Sequence, residues 1–145
     1  MAVTAKWYGI GLRALAGKAV DFDSDTIKVS LHTSTYTPDQ DVHDFQADLT
    51  NEVTSDGYTA GGATIANCSL TYTGATNVLK FDGDDVTWTG VTLTARYAVV
   101  YDSTPGAAAT NPLLLYVDFG EDKAASAANF TITWATGGIA TITAG

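Results

Sequence analysis

The chain has 145 residues, 46% of them apolar and 16% charged, with sixteen acidic side chains against seven basic ones and a net charge of −9. This composition excludes intrinsic disorder, and the excess of negative charge disfavours nucleic acid and anionic membrane as partners. A single cysteine excludes an intrachain disulfide framework and a cysteine-based zinc site.

No apolar run reaches the roughly 18 residues needed to cross a bilayer, and no stretch reads as a secretory leader. Burial scaling predicts one domain over residues 1–145, with a core that needs no metal or disulfide staple. Within it, residues 3–16 read as a helix. Val3, Trp7, Ile10 and Ala14 fall on one strip, with Tyr8, Leu12 and Leu15 on the next, and Gly17 stands as the C-cap. Gly9 and Gly11 each weaken such a helix by about 1 kcal/mol relative to alanine, while permitting close approach of another backbone.

From Ile27 the period changes to two, and residues 26–144 read as a β-sandwich. Ile27, Val29 and Leu31 alternate with Lys28, Ser30 and His32. Residues 42–49 suit one or two short helical turns carrying Phe45 and Leu49 inward. Residues 55–62 form a glycine-bearing loop. A hairpin follows, with Leu70 and Tyr72 on one arm, a turn at Gly74–Asn77, and Val78–Phe81 returning. Val86 and Trp88 then alternate with threonines. The longest strand spans Val91–Tyr101, with Leu93, Ala95, Tyr97, Val99 and Tyr101 on one face. Residues 113–119 are apolar on both faces, as in a covered strand. Phe130, Ile132 and Trp134 make another strand, and Ile139–Thr143 the last. The fold class is therefore all-β, an antiparallel sandwich of jelly-roll type with a short N-terminal α-helix.

Candidate chemistry is sparse. His32, on the outer face of a strand, and His43, in a loop, read as solvated side chains with no shared face. No nucleophile elbow or phosphate-binding loop occurs. Asp21, Asp23 and Asp25 match the first three ligand positions of a calcium loop, but Thr26 and His32 occupy the places of its glycine and final glutamate. Asp82, Asp84 and Asp85 read as turn formers. A glycan hydrolase would need two carboxylates about 5–9 Å apart across a cleft, and no two of the acidic residues single themselves out. Thr-x-Thr pairs, such as Thr87/Thr89 and Thr131/Thr133, suit outward strand positions better than a flat ice-binding lattice. Cys68 reads as a small buried hydrophobe. The reading names no catalytic residue, no cofactor and no metal.

Four ordered segments carry a resemblance: Thr26–Pro38 (TIKVSLHTSTYTP), Thr50–Thr64 (TNEVTSDGYTAGGAT), Ala95–Pro105 (ARYAVVYDSTP) and Leu115–Gly120 (LYVDFG). Together they are similar to a family of small structural proteins of tailed bacteriophages. The resemblance implies a non-enzymatic virion component, with a capsid decoration protein on the outside of the major capsid shell as the leading expectation. It also implies a homo-oligomer, a trimer first, that binds the major capsid protein; the net negative charge sets nucleic acid and membrane aside as partners. Trp7, Tyr8 and Leu12 are the expected partner-facing residues, because aromatic anchors concentrate in interface hot spots. The alternative is a tail or baseplate component that binds host glycans through rings such as Tyr36 or Tyr58.

Overall fold

The computed structural model describes residues 2–145. Its elements run β1 (Thr4–Trp7), α1 (Gly9–Ala16), β2 (Ile27–His32), a 3₁₀ turn (Gln46–Asp48), β3 (Ala63–Thr64), β4 (Ser69–Thr73), β5 (Val78–Asp82), β6 (Val86–Asp102), β7 (Leu113–Ile132) and β8 (Ala140–Thr143). Two antiparallel sheets result, of order β1-β7-β6-β2-β3 and β4-β5-β8. No helix among the described residues is long and apolar enough to cross a membrane. The main core lies between the sheets and includes Phe22, Leu31, Phe81, Trp88, Leu93, Leu114 and Phe130.

The N-terminal segment departs from the helix expected over residues 3–16. Val3, Ala5 and Trp7 alternate with Thr4 and Lys6, so these residues carry a period-two pattern as well. The open edge of β7 decides between the two. Thr4 pairs with Asp118 and Trp7 with Leu115, and the helix is confined to Gly9–Ala16. It crosses β7 at Gly11, where a Cβ would stand 2.6 Å from the Leu114 carbonyl oxygen. The glycine that weakens the helix is therefore what lets it lie on the sheet.

β6 and β7 are long strands of 17 and 20 residues, and β7 joins the two strands expected at 113–119 and 130–134. Trp134 falls outside it, held by its indole N–H donating to the Asp84 carbonyl at 3.0 Å. Ala95 pairs with Lys123 but Tyr97 with Asp118, so β7 bulges between these pairs. Arg96 Nε donates to Asp118 Oδ1 at 2.7 Å there, and the same oxygen accepts from the Gly120 amide at 2.8 Å, with Gly120 at φ 79°. A slip of one residue turns a strand over. Leu93, Ala95, Ala98 and Val100 accordingly face the main core, while Tyr97, Val99 and Tyr101 face the other way. The single continuous face expected for the odd-numbered residues of this strand is broken at the bulge.

The other side of the five-stranded sheet carries a second core of Tyr8, Tyr36, Val99, Tyr101 and Leu113, with Ile10 and Leu49 packed against it. Part of its cover comes from the chain between β2 and β3, tied down where Gly9 N–H donates to the Gln40 carbonyl at 2.9 Å. His32 lies beneath this cover and is 1% exposed, which corrects the expectation of a solvated histidine. Its Nδ1–H donates to the Thr50 carbonyl at 2.8 Å, and Nε2 accepts from the Ser30 hydroxyl at 2.9 Å. Burial holds its pKa below the ordinary imidazole value.

Candidate functional site

The tyrosine and histidine side chains around the loop between β2 and β3 are occupied with one another. Asp39 N–H points at His43 Nδ1 (3.3 Å), which makes that nitrogen an acceptor, so the Tyr36 hydroxyl donates to it at 3.0 Å and the Tyr8 hydroxyl donates to Tyr36 at 2.9 Å. Burial pushes the Tyr36 phenol up to about 12 and the Tyr8 phenol well above its usual range. Tyr58 donates to Glu52 Oε1 at 2.7 Å, and the same oxygen accepts from Gly61 N–H at 2.7 Å. These networks close a loop over a sheet. Tyr36 and Tyr58 are 1% and 9% exposed, so neither ring is free to stack on a sugar, contrary to the role expected of them in a tail component.

The acidic clusters behave as turns. Asp25 Oδ2 accepts from Asp21 N–H at 2.7 Å, and the Asp21 carbonyl accepts from the Ser24 and Asp25 amides, closing the segment on itself. Among the described residues, no group of three or more His, Cys, Asp or Glu side chains is placed to hold a metal ion. Asp102 is a residue that sequence reasoning missed. It is fully buried, its Oδ1 accepts from Thr104 N–H at 2.8 Å, and its Oδ2 has no partner. Burial raises its pKa above the usual carboxylate value, and the neighbouring Asp25 carboxyl adds to the shift. Neither carboxyl lines the grooves described next.

What the surface does offer is an apolar side centred on β1 and α1. One groove of about 520 Å³ opens between α1 and the inner face of the three-stranded sheet, walled by Leu12, Leu15, Phe22, Leu70, Leu79 and Ile142, with Lys18 and Asp21 on its rim. A second, of about 640 Å³, lies between β1 and the far end of β7, walled by Val3, Ala5, Phe119, Phe130, Ile132 and Trp134. A cleft of about 280 Å³ follows the seam between β1 and β8. Both β1 and β8 are sheet edges, so this side also presents unpaired backbone groups.

β4 is an edge strand as well, and every one of its residues is exposed. Leu70 and Tyr72 pair with Phe81 and Leu79, so they share the sheet's inner face but overhang the core. Val3, Leu12, Leu70 and Tyr72 are four of the five large apolar side chains exposed among the described residues. The fifth, Val42, stands alone on the loop before the 3₁₀ turn.

The three expected partner-facing residues divide. Leu12 is 41% exposed and lines the first groove. Trp7 is half-buried, its ring edge-on to Phe81 at 5.0 Å between centroids. Tyr8 is wholly buried in the second core, so it is not available to a neighbouring molecule. This is a correction, and its reason is that β1 takes Tyr8 inward along β7, where Tyr8 N–H donates to the Leu114 carbonyl at 2.9 Å. Val3, Leu70 and Tyr72 were not singled out, because an overhanging strand shows the same alternation as a covered one.

The charge distribution adds to this picture. The first twenty residues contain Lys6, Arg13 and Lys18 and no acidic residue, whereas all sixteen acids lie beyond them. Of the seven basic side chains, Lys80, Arg96 and Lys123 are engaged in ion pairs, with Asp82, Asp118 and Glu121. Comparison with protein-family models, with curated proteins and with solved structures gives no match.

Proposed function

We propose that this protein is an auxiliary structural component of a tailed-phage virion, a capsid decoration protein that assembles with copies of itself and docks on the major capsid protein. The observation that carries this reading is the apolar side built by β1 and α1, two elements that contain no acidic residue, on an otherwise acidic sandwich. A monomer gains nothing from leaving two grooves and the overhanging Leu70 and Tyr72 in water, and contiguous apolar surface of this kind marks an association face. The resemblance of four ordered segments to small phage structural proteins supports the same reading. An acidic exterior suits a position outside the shell, where packaged DNA does not repel it. Many weak, identical contacts on a symmetric particle would hold such a protein without one strong site.

The test is localisation on whole particles. Antibody-labelled electron microscopy of virions from the phage that encodes this chain is expected to mark the head surface, at many copies per particle. Leu12→Asp together with Leu70→Asp is expected to remove the label while the purified variant keeps its far-UV circular dichroism. Absence of the protein from mature virions, or label confined to the tail, would overturn the proposal.

A further inference from the structure

The first groove has a counterpart elsewhere on the same molecule. Val42 is 69% exposed, the most exposed large apolar side chain among the described residues, and Asp39, Asp41 and Asp44 surround it in sequence. The loop presents it in a fixed conformation. Asp39 Oδ1 accepts from the Asp41 and Val42 amides at 3.0 and 3.2 Å, and the Asp39 carbonyl accepts from His43 N–H at 3.0 Å. An apolar knob with the exposed Asp39 and Asp41 on the same loop thus faces solvent. The groove of Leu12, Leu15, Leu70, Leu79 and Ile142 is its converse: an apolar slot with Lys18 on the rim and Arg13 exposed on the same helix, against the single carboxylate of Asp21.

One molecule cannot bring the two together. The loop is tied by Gln40 to Gly9, at the start of α1 and beside the second core, whereas the groove opens between the sheets beside the helix's later residues. We infer that the occupant of the groove is a second copy of this chain, which inserts its Val42 knob under α1 with Asp39 and Asp41 against Lys18 and Arg13. Knob and groove are different surfaces, so the contact is head-to-tail. Repeated, it closes a ring or runs on as a filament. The inference rests on the homo-oligomer reading above and identifies the surface and the partner that make it. The second groove and the β1 edge stay free for the capsid, and Leu12→Asp with Leu70→Asp removes the capsid label by breaking the oligomer, whose many identical contacts hold it on the particle.

Two disabling substitutions decide the matter in solution, without any particle. Val42→Asp spoils the knob and leaves the groove; Leu12→Asp spoils the groove and leaves the knob. Both sites are exposed, and circular dichroism checks that each variant folds. In sedimentation equilibrium at low salt, each variant alone is expected to self-associate more weakly than the wild type by on the order of tenfold or more. Mixed in equal amounts, the two variants are expected to form a one-to-one dimer, because one supplies the intact groove and the other the intact knob. Lys18→Glu should weaken association, and adding Asp41→Lys should restore it. High salt should weaken the wild-type contact.

A wild-type protein that stays monomeric at all concentrations would overturn the inference. So would loss of association on Leu12→Asp but not on Val42→Asp, or a mixture that shows no dimer. These outcomes leave the virion reading to its own localisation test. Label on the capsid with no rescue in the mixture would reject the knob and keep the decoration role.

Discussion

Gly9 and Gly11 look alike in sequence, two helix-weakening residues two positions apart, but the structure assigns them opposite responses to alanine. At Gly9 an added Cβ would meet the Gln40 carbonyl oxygen at 3.6 Å, an ordinary contact. Alanine there keeps the helix propensity gain, at most about 1 kcal/mol. At Gly11 the Cβ would stand 2.6 Å from the Leu114 oxygen, 2.7 Å from the Leu113 oxygen and 2.8 Å from the Leu114 Cα, all of them backbone of β7. Restoring a 3.4 Å contact from 2.6 Å requires the helix to lift by about 0.8 Å. That movement loosens Ala14 and Ile10 and strains the Tyr8–Leu114 hydrogen bond. Overpacking of this kind costs about 1–3 kcal/mol, and with this lift we place it at the upper end. After the propensity gain is set against it, Gly11→Ala should lose roughly 1–2 kcal/mol. For a chain of this size that lowers Tm by about 3–8 °C. Urea unfolding followed by circular dichroism reads both variants. A Gly11→Ala protein as stable as the wild type, or a Gly9→Ala protein equally destabilised, would refute the claim that α1 lies on β7 through Gly11.

Asp102→Asn keeps the Oδ1 acceptor for Thr104 and removes a buried, unpartnered charge, so it should stabilise the protein at neutral pH by about 1–3 kcal/mol. The raised pKa means that the folded state holds its proton at a pH where the unfolded chain has released it. The contribution of this group therefore falls as pH rises through and above the ordinary aspartate range, and the gain from Asn should shrink toward pH 4; an equal gain at pH 4 and pH 7 argues against it. Tyr8→Phe should cost about 1 kcal/mol through loss of the donor to Tyr36, and Tyr8→Ala about 3–5 kcal/mol, both measured on the isolated protein. A Tyr8→Ala protein of wild-type stability would return Tyr8 to the surface. Carboxyl NMR titration should place Asp118 below the usual range, because the Arg96 guanidinium beside it favours its charged form; Arg96→Gln should bring it back up. The Cys68 thiol, pushed to about 11 chiefly by burial, should alkylate slowly at pH 8 until urea unfolds the chain.

The alternation in Ile27–His32, the Gly74–Asn77 turn and the two-sided apolarity of Leu113–Phe119 were legible because each is a local rule that needs only the residue and its neighbours. Charge asymmetry was equally open to inspection, since it is a sum over positions. From these came the all-β class, the short helix and an approximate strand list. Tertiary structure decided the rest wherever two local patterns compete or a distant segment supplies the environment. Val3–Trp7 satisfies both a helical and an extended period, and only the free edge of β7 selects the strand. The face of Tyr97, Val99 and Tyr101 depends on the break in the β6–β7 register between Ala95 and Tyr97, which the alternation of residues in β6 does not announce. His32 is inside because a loop folds over it and carries Tyr36 inward, and Leu70 and Tyr72 are outside because nothing covers them. Burial is a property of what lies opposite a side chain, and one strand's sequence does not contain that information.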